Sequence, residues 1–432
     1  MLSRTRRRRL SIPLALTATL LAATAAGAVL QQDEDPARRA RGISARVVLE
    51  SLDGTVSTRP LDAKPLRSLV AAGAAFVRFT GLDRDEPAGD GPRTAPRDRA
   101  SFELAGGDRL SGQVLGGEGD VLEIELRAGV QLKLSIDGIR SVVFPARIPP
   151  SVIESPAAGE EGDRLYLVAA QSLDRAEGFV ESFEADGIAF EDARLGNRTY
   201  PWERVAALFV TPLDDEPAVD PEGTGAEAKG ERVSVSLVGG GRISGTLVEI
   251  GSPEEGVLIR LGDAAEVRLP GAIVTELTLD DGSFQFLGDV EPAARGTSSP
   301  FDDDLGFVWP MRVDRNCRGG LLSVGGVEFG RGLGVHAPSK LAWTIGGDWK
   351  ELRLLCGVDD SGQSGNRAGA VRFRVLGDGK VLWESDVLRA GAAAVRPAAI
   401  SVAGVTSLEL EVDTAGEFVL DRANWLRPML VR

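Results

Sequence analysis

Short stretches of alternating apolar and polar residues, separated by glycine-rich turns, recur along most of this chain. Residues 121–126 and 371–375 show the pattern clearly, and a period of two is that of a strand with one buried face. The 432 residues include 53 glycines, which supply turns between such strands. We therefore predict an all-β fold class. The apolar residues suffice for several small cores but not for one large enzyme barrel, so two to four domains are expected.

Three segments in the middle of the chain resemble one another at a spacing of about 65 residues. Residues 107–114 and 240–247 share the pattern Gly-x-Arg-apolar-Ser-Gly, and residues 174–180 contain the same Arg-x-x-Gly core. An alternating strand, a second short strand and an apolar end follow each motif, which predicts four or five antiparallel strands that close into a small barrel. These units resemble Sm-like or SH3-like barrels. Repeats are expected at residues 101–146, 163–211 and 231–280, with a possible degenerate copy at 43–82.

Each motif carries an arginine whose role the sequence leaves open. These residues are Arg109, Arg175 and Arg242. Each arginine either contacts a ligand or keeps the edge of a hairpin soluble and unpaired.

Stretches rich in proline, glycine and charge separate these blocks. They are predicted to be linkers at residues 83–100, 145–163, 211–231 and 288–304. The last of them sets the C-terminal block apart, so a fragment that begins near Phe284 is expected to fold by itself.

The first residues have the features of an export signal. Five arginines between positions 4 and 9 precede an uncharged run over residues 10–30, which has a small-residue cleavage site near its end. We predict a signal peptide over residues 1–28. The same run is also long enough to be an uncleaved N-terminal membrane anchor. In either case the rest of the chain is expected to be exported, to the periplasm, the cell surface or the medium.

Acidic residues outnumber basic ones. The formal net charge is −15, and removal of residues 1–28 brings it to −20. Affinity for nucleic acid comes largely from lysine and arginine side chains that displace counterions from phosphates. The charge balance therefore argues against a nucleic-acid partner, and equally against an anionic membrane surface.

The last third of the chain carries a more specific signal. A Gly-Leu-Gly-Val-His-Ala motif at residues 332–337 is followed by five further segments in a fixed order, at residues 356–360, 369–375, 378–380, 381–386 and 421–425. With these features, residues 284–432 resemble the NPCBM family of carbohydrate-binding modules. The resemblance implies a galactose-binding-like jelly-roll β-sandwich that binds carbohydrate.

Eight residues of this block are predicted to contact a ligand: Trp343, Trp349, Asp359, Asp360, His336, Gln363, Asn366 and Trp383. Five of the six tryptophans lie in this block, and indole rings stack on sugar faces while polar groups bond to the hydroxyls. Trp343 and Trp349 flank a Gly-Gly-Asp turn. Both are expected to be exposed and to form one loop surface with Asp359.

Several of these residues have structural alternatives. His336 either binds sugar or is a buried imidazole that holds a loop. Asp359 and Asp360 either coordinate calcium, which prefers oxygen ligands, or cap the turn that follows them. No other cofactor is expected. Cys317 and Cys356 either form a disulfide, as an exported pair often does, or remain two separate buried thiols.

We predict an exported, non-catalytic binding protein that holds a glycan or cell-wall polysaccharide through its C-terminal block. The repeats would then serve as spacers or protein-docking units. One alternative is a structural or assembly protein of an envelope or secreted complex, in which the sandwich binds protein. A glycoside hydrolase is a further alternative, but that reaction needs two carboxylates fixed on a substantial scaffold, and the remaining blocks are too small.

Overall fold

A computed structural model describes residues 46–60, 74–80, 82, 99–152, 156–212, 232–252, 255–261, 265–280, 282–297, 309–415 and 418–432. Within these ranges the chain forms β-strands and 3-10 helices and no α-helix, which confirms the predicted all-β class. The 3-10 helices are Arg127–Gly129, Ile136–Gly138, Pro145–Arg147, Trp202–Arg204, Gly271–Ile273, Leu287–Asp289, Asp360–Gly362 and Phe418–Leu420. No helix in the described ranges is long and apolar enough to span a membrane. The predicted signal peptide at residues 1–28 lies outside them.

The N-terminal part of the chain forms one antiparallel sheet of eighteen strands. Its strands are β1 (Arg46–Ser51), β2 (Val56–Pro60), β3 (Ala74–Thr80), β4 (Arg99–Leu104), β5 (Arg109–Glu118), β6 (Val121–Glu125), β7 (Gln131–Ser135), β8 (Ile139–Val143), β9 (Asp163–Ala169), β10 (Ser172–Phe183), β11 (Gly187–Asp192), β12 (Gly196–Pro201), β13 (Val205–Phe209), β14 (Arg232–Leu237), β15 (Arg242–Ile250), β16 (Val257–Leu261), β17 (Ala265–Leu269) and β18 (Val274–Asp280). We call this the N-terminal sheet.

One strand order occurs three times in the N-terminal sheet. In β4 to β8 the first strand pairs with both the second and the fifth. The second strand also pairs with the third, and the third pairs with the fourth. The same order is found in β9 to β13 and in β14 to β18. Strand β8 pairs with β13, so the first two groups join through their last strands. The third group pairs with β3 through β18, and its strand β15 bridges to β5 of the first group. Among the described strands no ladder joins the fourth strand of a group to the fifth. Hydrogen bonding therefore produces a large sheet, where the sequence predicted separately closed barrels.

The glycine of each Arg-x-x-Gly motif lies where two strands approach closely. A Cβ atom at Gly112 would lie 2.7 Å from the carbonyl oxygen of Glu125, and one at Gly245 would lie 2.5 Å from that of Arg260. A Cβ atom at Gly178 would lie closer still to a neighbouring carbonyl oxygen, that of Glu191. Two residues beyond each glycine the strand register shifts, so the strand bends there. Only glycine fits this approach without displacing the neighbouring backbone.

The C-terminal part forms a sandwich of two antiparallel sheets. Its strands are β19 (Phe284–Phe286), β20 (Ala294–Thr297), β21 (Arg312–Val313), β22 (Leu322–Val324), β23 (Val327–Phe329), β24 (Gly332–His336), β25 (Ser339–Thr344), β26 (Glu351–Val358), β27 (Gln363–Ser364), β28 (Arg367–Ala368), β29 (Ala370–Gly377), β30 (Lys380–Glu384), β31 (Leu388–Arg389), β32 (Ile400–Ser401), β33 (Ser407–Thr414) and β34 (Arg422–Val431). One sheet has the order β21-β24-β34-β26-β32, with β19 beside β34, and the other has the order β20-β25-β33-β29-β30. The core between them contains Leu341, Trp343, Phe373, Leu410 and Trp425.

Strand β34 is buried on both faces. Every residue from position 423 to 430 is buried, although strands in a two-layer sandwich normally bury alternate residues. One face packs in the sandwich core, and the other packs against the N-terminal sheet and the β22–β23 hairpin. The sandwich therefore has a third layer.

The predicted linker at residues 288–304 is wrong over its first part. Leu287–Asp289 form a 3-10 helix and Ala294–Thr297 form β20, which pairs with β25. Residues 298–304 lie outside the described ranges, as do most of the predicted linkers at 83–100 and 211–231. The segment before Phe284 and the segment after it are thus parts of adjoining, packed structure.

Candidate functional site

The loops of the sandwich gather at two opposite ends. The first, which we call the His336 end, comprises residues 336–338, 359–369, 388–391 and 418–422. The second, the Gly346 end, comprises residues 345–350, 377–379 and 403–406. Hydrogen bonds tie the first set together: Ala337 N donates to Asp421 O (2.9 Å), Gly369 N to Gly362 O (2.8 Å) and Ala390 N to Gly369 O (3.1 Å).

Strand β26 separates Trp349 from Asp359. Trp349 lies just before its first residue and Asp359 just after its last, and eight residues of strand extend about 25 Å. The expectation that Trp343, Trp349 and Asp359 share one surface is therefore wrong. His336, Asp359, Asp360, Gln363 and Asn366 do lie at one end.

The three tryptophans that were predicted to contact a ligand lie in three different environments. Trp343 is only 1% exposed and its Nε1 donates to the carbonyl of Val290 (3.0 Å), so the expectation that it is exposed is wrong. Trp349 is partly buried at the Gly346 end, and the guanidinium of Arg432 lies 5.0 Å from its ring centre. Trp383 packs against the sandwich core from the edge strand β30. A ligand role for Trp349 or Trp383 stays a prediction.

The carboxylate of Asp359 is buried and accepts four hydrogen bonds. Its donors are Asn316 Nδ2 (3.1 Å), Ser361 N (3.0 Å), Ser323 N (3.2 Å) and Asn424 Nδ2 (2.7 Å). These bonds satisfy the lone pairs that a cation would need, so Asp359 caps the Asp360–Gly362 turn and joins it to β22 and β34.

Asp360 holds the neighbouring hairpin. Its carboxylate accepts from Gly325 N (2.8 Å), from Gly326 N (2.9 Å) and from the hydroxyl of Ser323. In the part of the chain that the structure describes, no three His, Cys, Asp or Glu side chains are grouped to hold a metal. The geometry thus agrees with the turn-capping alternative for Asp359, whereas Asp360 bonds to the turn of the β22–β23 hairpin and not to the turn that follows it.

His336 is 3% exposed and lies between two aromatic rings. Its ring stacks on Trp309 (centroids 5.0 Å apart, planes 18° apart) and tilts against Phe418 (4.7 Å). Nδ1 is 2.8 Å from the carbonyl oxygen of Ala337, to which it donates in the neutral tautomer. Burial lowers the pKa of the imidazole. The geometry matches the alternative of a neutral, buried imidazole that holds a loop.

Around this aromatic layer the His336 end presents exposed side chains. Gln363 and Asn366 are exposed on the β27–β28 hairpin, whose turn contains Gly365. Val419, beside Phe418, is 57% exposed. The His336 end thus combines an apolar layer with exposed amide groups, which are the two kinds of group that pack on one face of a sugar and bond to its hydroxyls.

Sequence reasoning did not assign Trp309 or Phe418 to a site. Trp309 is one of the five C-terminal tryptophans, whose concentration indicates a sugar-binding block, but no pattern in the sequence links it to His336 or Phe418. The three residues come together because β24 lies between β21 and β34, and the chain segments that flank these strands meet at the same end.

The two cysteines are free and buried. The disulfide alternative is therefore wrong, and the alternative of two separate thiols is confirmed. Burial raises the pKa of the Cys317 thiol to about 11 and raises that of Cys356 further. Both thiols stay protonated at neutral pH and react slowly.

Comparison with known proteins gives a family for the sandwich. Residues 297–431 match the family described as NPCBM/NEW2 domain. Alpha-1,3-galactosidase B of Akkermansia muciniphila is 39% identical over 119 residues, which are 27% of this chain and 14% of that enzyme. A second relative, described as putative endo-alpha-N-acetylgalactosaminidase, from Renibacterium salmoninarum, is 34% identical over 95 residues, which are 22% of this chain and 6% of that protein. The chain thus spans a small part of these relatives.

Solved structures similar to this chain include two carbohydrate-binding modules of Clostridium perfringens. A CBM51 module of a GH95 protein, in complex with methyl-galactose, is 17% identical, with 34% of this chain and 99% of that chain covered and a TM-score of 0.30. The CBM51-2 and INT domains of ZmpB, in complex with GlcNAc, are 18% identical, with 42% and 38% covered and a TM-score of 0.30. The family match falls on the two-sheet sandwich that contains the His336 end. Residues 297–431 of this chain form an NPCBM/NEW2 domain.

Proposed function

We propose that this chain is an exported, non-catalytic protein that binds a glycan at the His336 end of its NPCBM/NEW2 domain. The observation that carries the proposal is the aromatic layer of Trp309, His336 and Phe418, which lies at the same end of the sandwich as the exposed amides of Gln363 and Asn366, on a domain of this family. Export rests on the signal-like residues 1–28.

The proposed contacts follow from the chemistry of sugars. One face of a pyranose ring presents C–H groups, which pack on an indole or phenyl ring, while the hydroxyls need donors and acceptors at the edge. Trp309 and Phe418 would supply the apolar face. Gln363 and Asn366 would supply both donors and acceptors, because each primary amide has an oxygen and an NH2 group.

The sugar class is proposed from the relatives. Two enzymes whose names refer to galactose and N-acetylgalactosamine contain a segment similar to this domain. We therefore propose galactose-configured sugars as the ligand class. The segments at 101–146, 163–211 and 231–280 are proposed to be repeats of one five-stranded unit, and the sheet that they share is proposed to serve as a carrier for the domain.

Glycan binding by the mature chain tests this function. Titration with methyl galactoside and N-acetylgalactosamine, after a glycan array has identified the best ligand, gives the affinity of each variant. Trp309→Ala should weaken binding about tenfold or more, since a stacking ring contributes roughly 1.5 kcal/mol. Asn366→Ala, at an exposed turn, should weaken it without changing the melting temperature.

Trp349→Ala is the matched control at the Gly346 end and should keep the affinity of the unchanged protein. Loss of binding in Trp349→Ala, with Trp309→Ala and Asn366→Ala unaffected, would place the site at the Gly346 end. An array without any bound glycan, together with capture of a defined protein, would replace the proposal by the structural or assembly alternative.

A further inference from the structure

A buried cluster of charges lies between the N-terminal sheet and the sandwich. Arg427 of β34 is 1% exposed; its Nη1 donates to Glu50 of β1 (2.8 Å), and its Nη2 donates to Glu276 of β18. Glu50 and Glu276 are buried to the same degree. Arg396 of the sandwich and Arg78 of β3 also pair with Glu50. The arginine at the centre therefore belongs to one structural unit and both of its carboxylates to the other.

The surroundings of this cluster are apolar. The guanidinium of Arg427 lies 4.6 Å from the ring centre of Phe76 and 5.7 Å from that of Phe329. Phe76 packs with Phe284, Phe286 and Met429 in a cluster that spans the two units. Charges removed from water in such surroundings are strongly destabilising unless they are paired.

The backbone at Arg427 is also unusual. The φ angle of Arg427 is 46°, which lies in the left-handed region, although this residue is not a glycine and lies within a strand. Next to it the β26–β34 register shifts between Arg353 and Leu355. A strained backbone conformation of this kind is kept only where the surrounding contacts hold it, and here those contacts include the ion pairs with Glu50 and Glu276.

A second cluster joins the same two units elsewhere. Arg242 of β15 pairs with Asp108 (3.6 Å) of the sheet and with Asp289 (3.0 Å) and Asp314 (3.4 Å) of the sandwich. Arg331 pairs with Asp289 and Asp314 from the sandwich side. Of the motif arginines, Arg242 is thus an interface residue, whereas Arg175 is 52% exposed and pairs with Glu177 of its own strand.

We propose that the sandwich and the N-terminal sheet unfold as one cooperative unit, coupled through the Glu50–Arg427–Glu276 cluster. If the sheet unfolded alone, Phe284, Phe286 and Met429 would become exposed and Arg427 would lose both carboxylates. The sandwich would then lose the third layer that buries β34. This coupling makes the NPCBM/NEW2 domain part of a larger folding unit, where the sequence predicted a fragment that folds by itself.

Thermal unfolding of the full mature chain tests the coupling. Fluorescence reports mainly on the sandwich, which holds five of the six tryptophans, and hydrogen exchange reports on the peptides of each unit. Glu276→Ala removes a carboxylate that belongs to the N-terminal sheet. It should lower the fluorescence midpoint of the sandwich by about 5–10 °C and accelerate exchange in β34 and β14 together.

Glu266→Ala is the matched control, because Glu266 forms a surface ion pair with Arg260 within the same part of the sheet. It should shift the midpoint by no more than about 1 °C. If Glu276→Ala fails to fold, Glu276→Gln, which keeps the hydrogen-bonding shape, gives the same comparison with a smaller shift. Two separate transitions in the unchanged protein, or a variant that destabilises the sheet while the sandwich midpoint stays fixed, would overturn the proposal.

Discussion

The two ends of the sandwich differ in how their polar groups are used. At the Gly346 end, Asp378 accepts from Thr406 N and Ser407 N, and Trp349 is covered by Arg432. At the His336 end, the carboxylates of Asp359 and Asp360 are likewise bonded to the amides of turns, but this end also has the exposed amides of the β27–β28 hairpin and an aromatic layer. A candidate ligand site is therefore identified by the polar groups that are still available after the turns have formed their hydrogen bonds. A count of aspartates or tryptophans does not identify it.

The largest stability effect is expected at Trp343. Its indole is enclosed in the sandwich core, so Trp343→Ala should lower the free energy of unfolding by about 3–5 kcal/mol. Trp349→Ala should cost clearly less, because that ring is only partly buried. Urea denaturation of both variants, followed by far-UV circular dichroism, measures the difference. Equal losses of unfolding free energy in the two variants would contradict the conclusion that Trp343 is a core residue and Trp349 is only partly buried.

Asp359 is expected to contribute less to the free energy of unfolding than Trp343, but more than Asp378, its counterpart at the Gly346 end. Asp359→Ala leaves the buried amide of Asn424 without its acceptor, takes one of two acceptors from the amide of Asn316, and should cost about 2–3 kcal/mol. Asp378→Ala, at an exposed turn, should cost about 1 kcal/mol. Calcium and a chelator should both leave the melting temperature of the unchanged protein where it is. A rise with calcium that Asp359→Ala abolishes would restore the metal assignment.

The sequence contained enough information for the strands but not for the contacts between units. Period-two alternation places Leu341 and Trp343 on one face of β25 and Ile345 just beyond its end, and all three are buried, so the burial of Trp343 could have been read from the same pattern. The shared glycines of the motifs likewise follow from a local close approach. The partners of Arg242 and Arg427 come from distant strands, and no local pattern encodes them.

The same reason explains why the candidate site was only partly found. Gln363 and Asn366 lie on a short local hairpin whose polar residues are visible in the sequence. Phe418 reaches His336 only through the pairing of β24 with β34, and Trp309 only through the pairing of β21 with β24. The third layer over β34 also depends on the N-terminal sheet, which the family resemblance does not cover.

The smallest expected effect is a pH dependence confined to the His336 end, which carries the only histidine of the chain. Burial lowers the pKa of His336 below its ordinary value of 6.5, so in mildly acidic solution the unfolded chain binds a proton that the folded chain excludes. The free energy of unfolding should therefore fall as the pH falls below about 6.5. Hydrogen exchange at pH 7 and pH 5.5, corrected for the intrinsic rate, should show this loss in peptides of residues 418–422 before those of residues 403–406. His336→Phe keeps an aromatic ring between Trp309 and Phe418 and removes the titrating group, so the acid sensitivity of that end should disappear. If it persists in His336→Phe, another group at the His336 end is responsible.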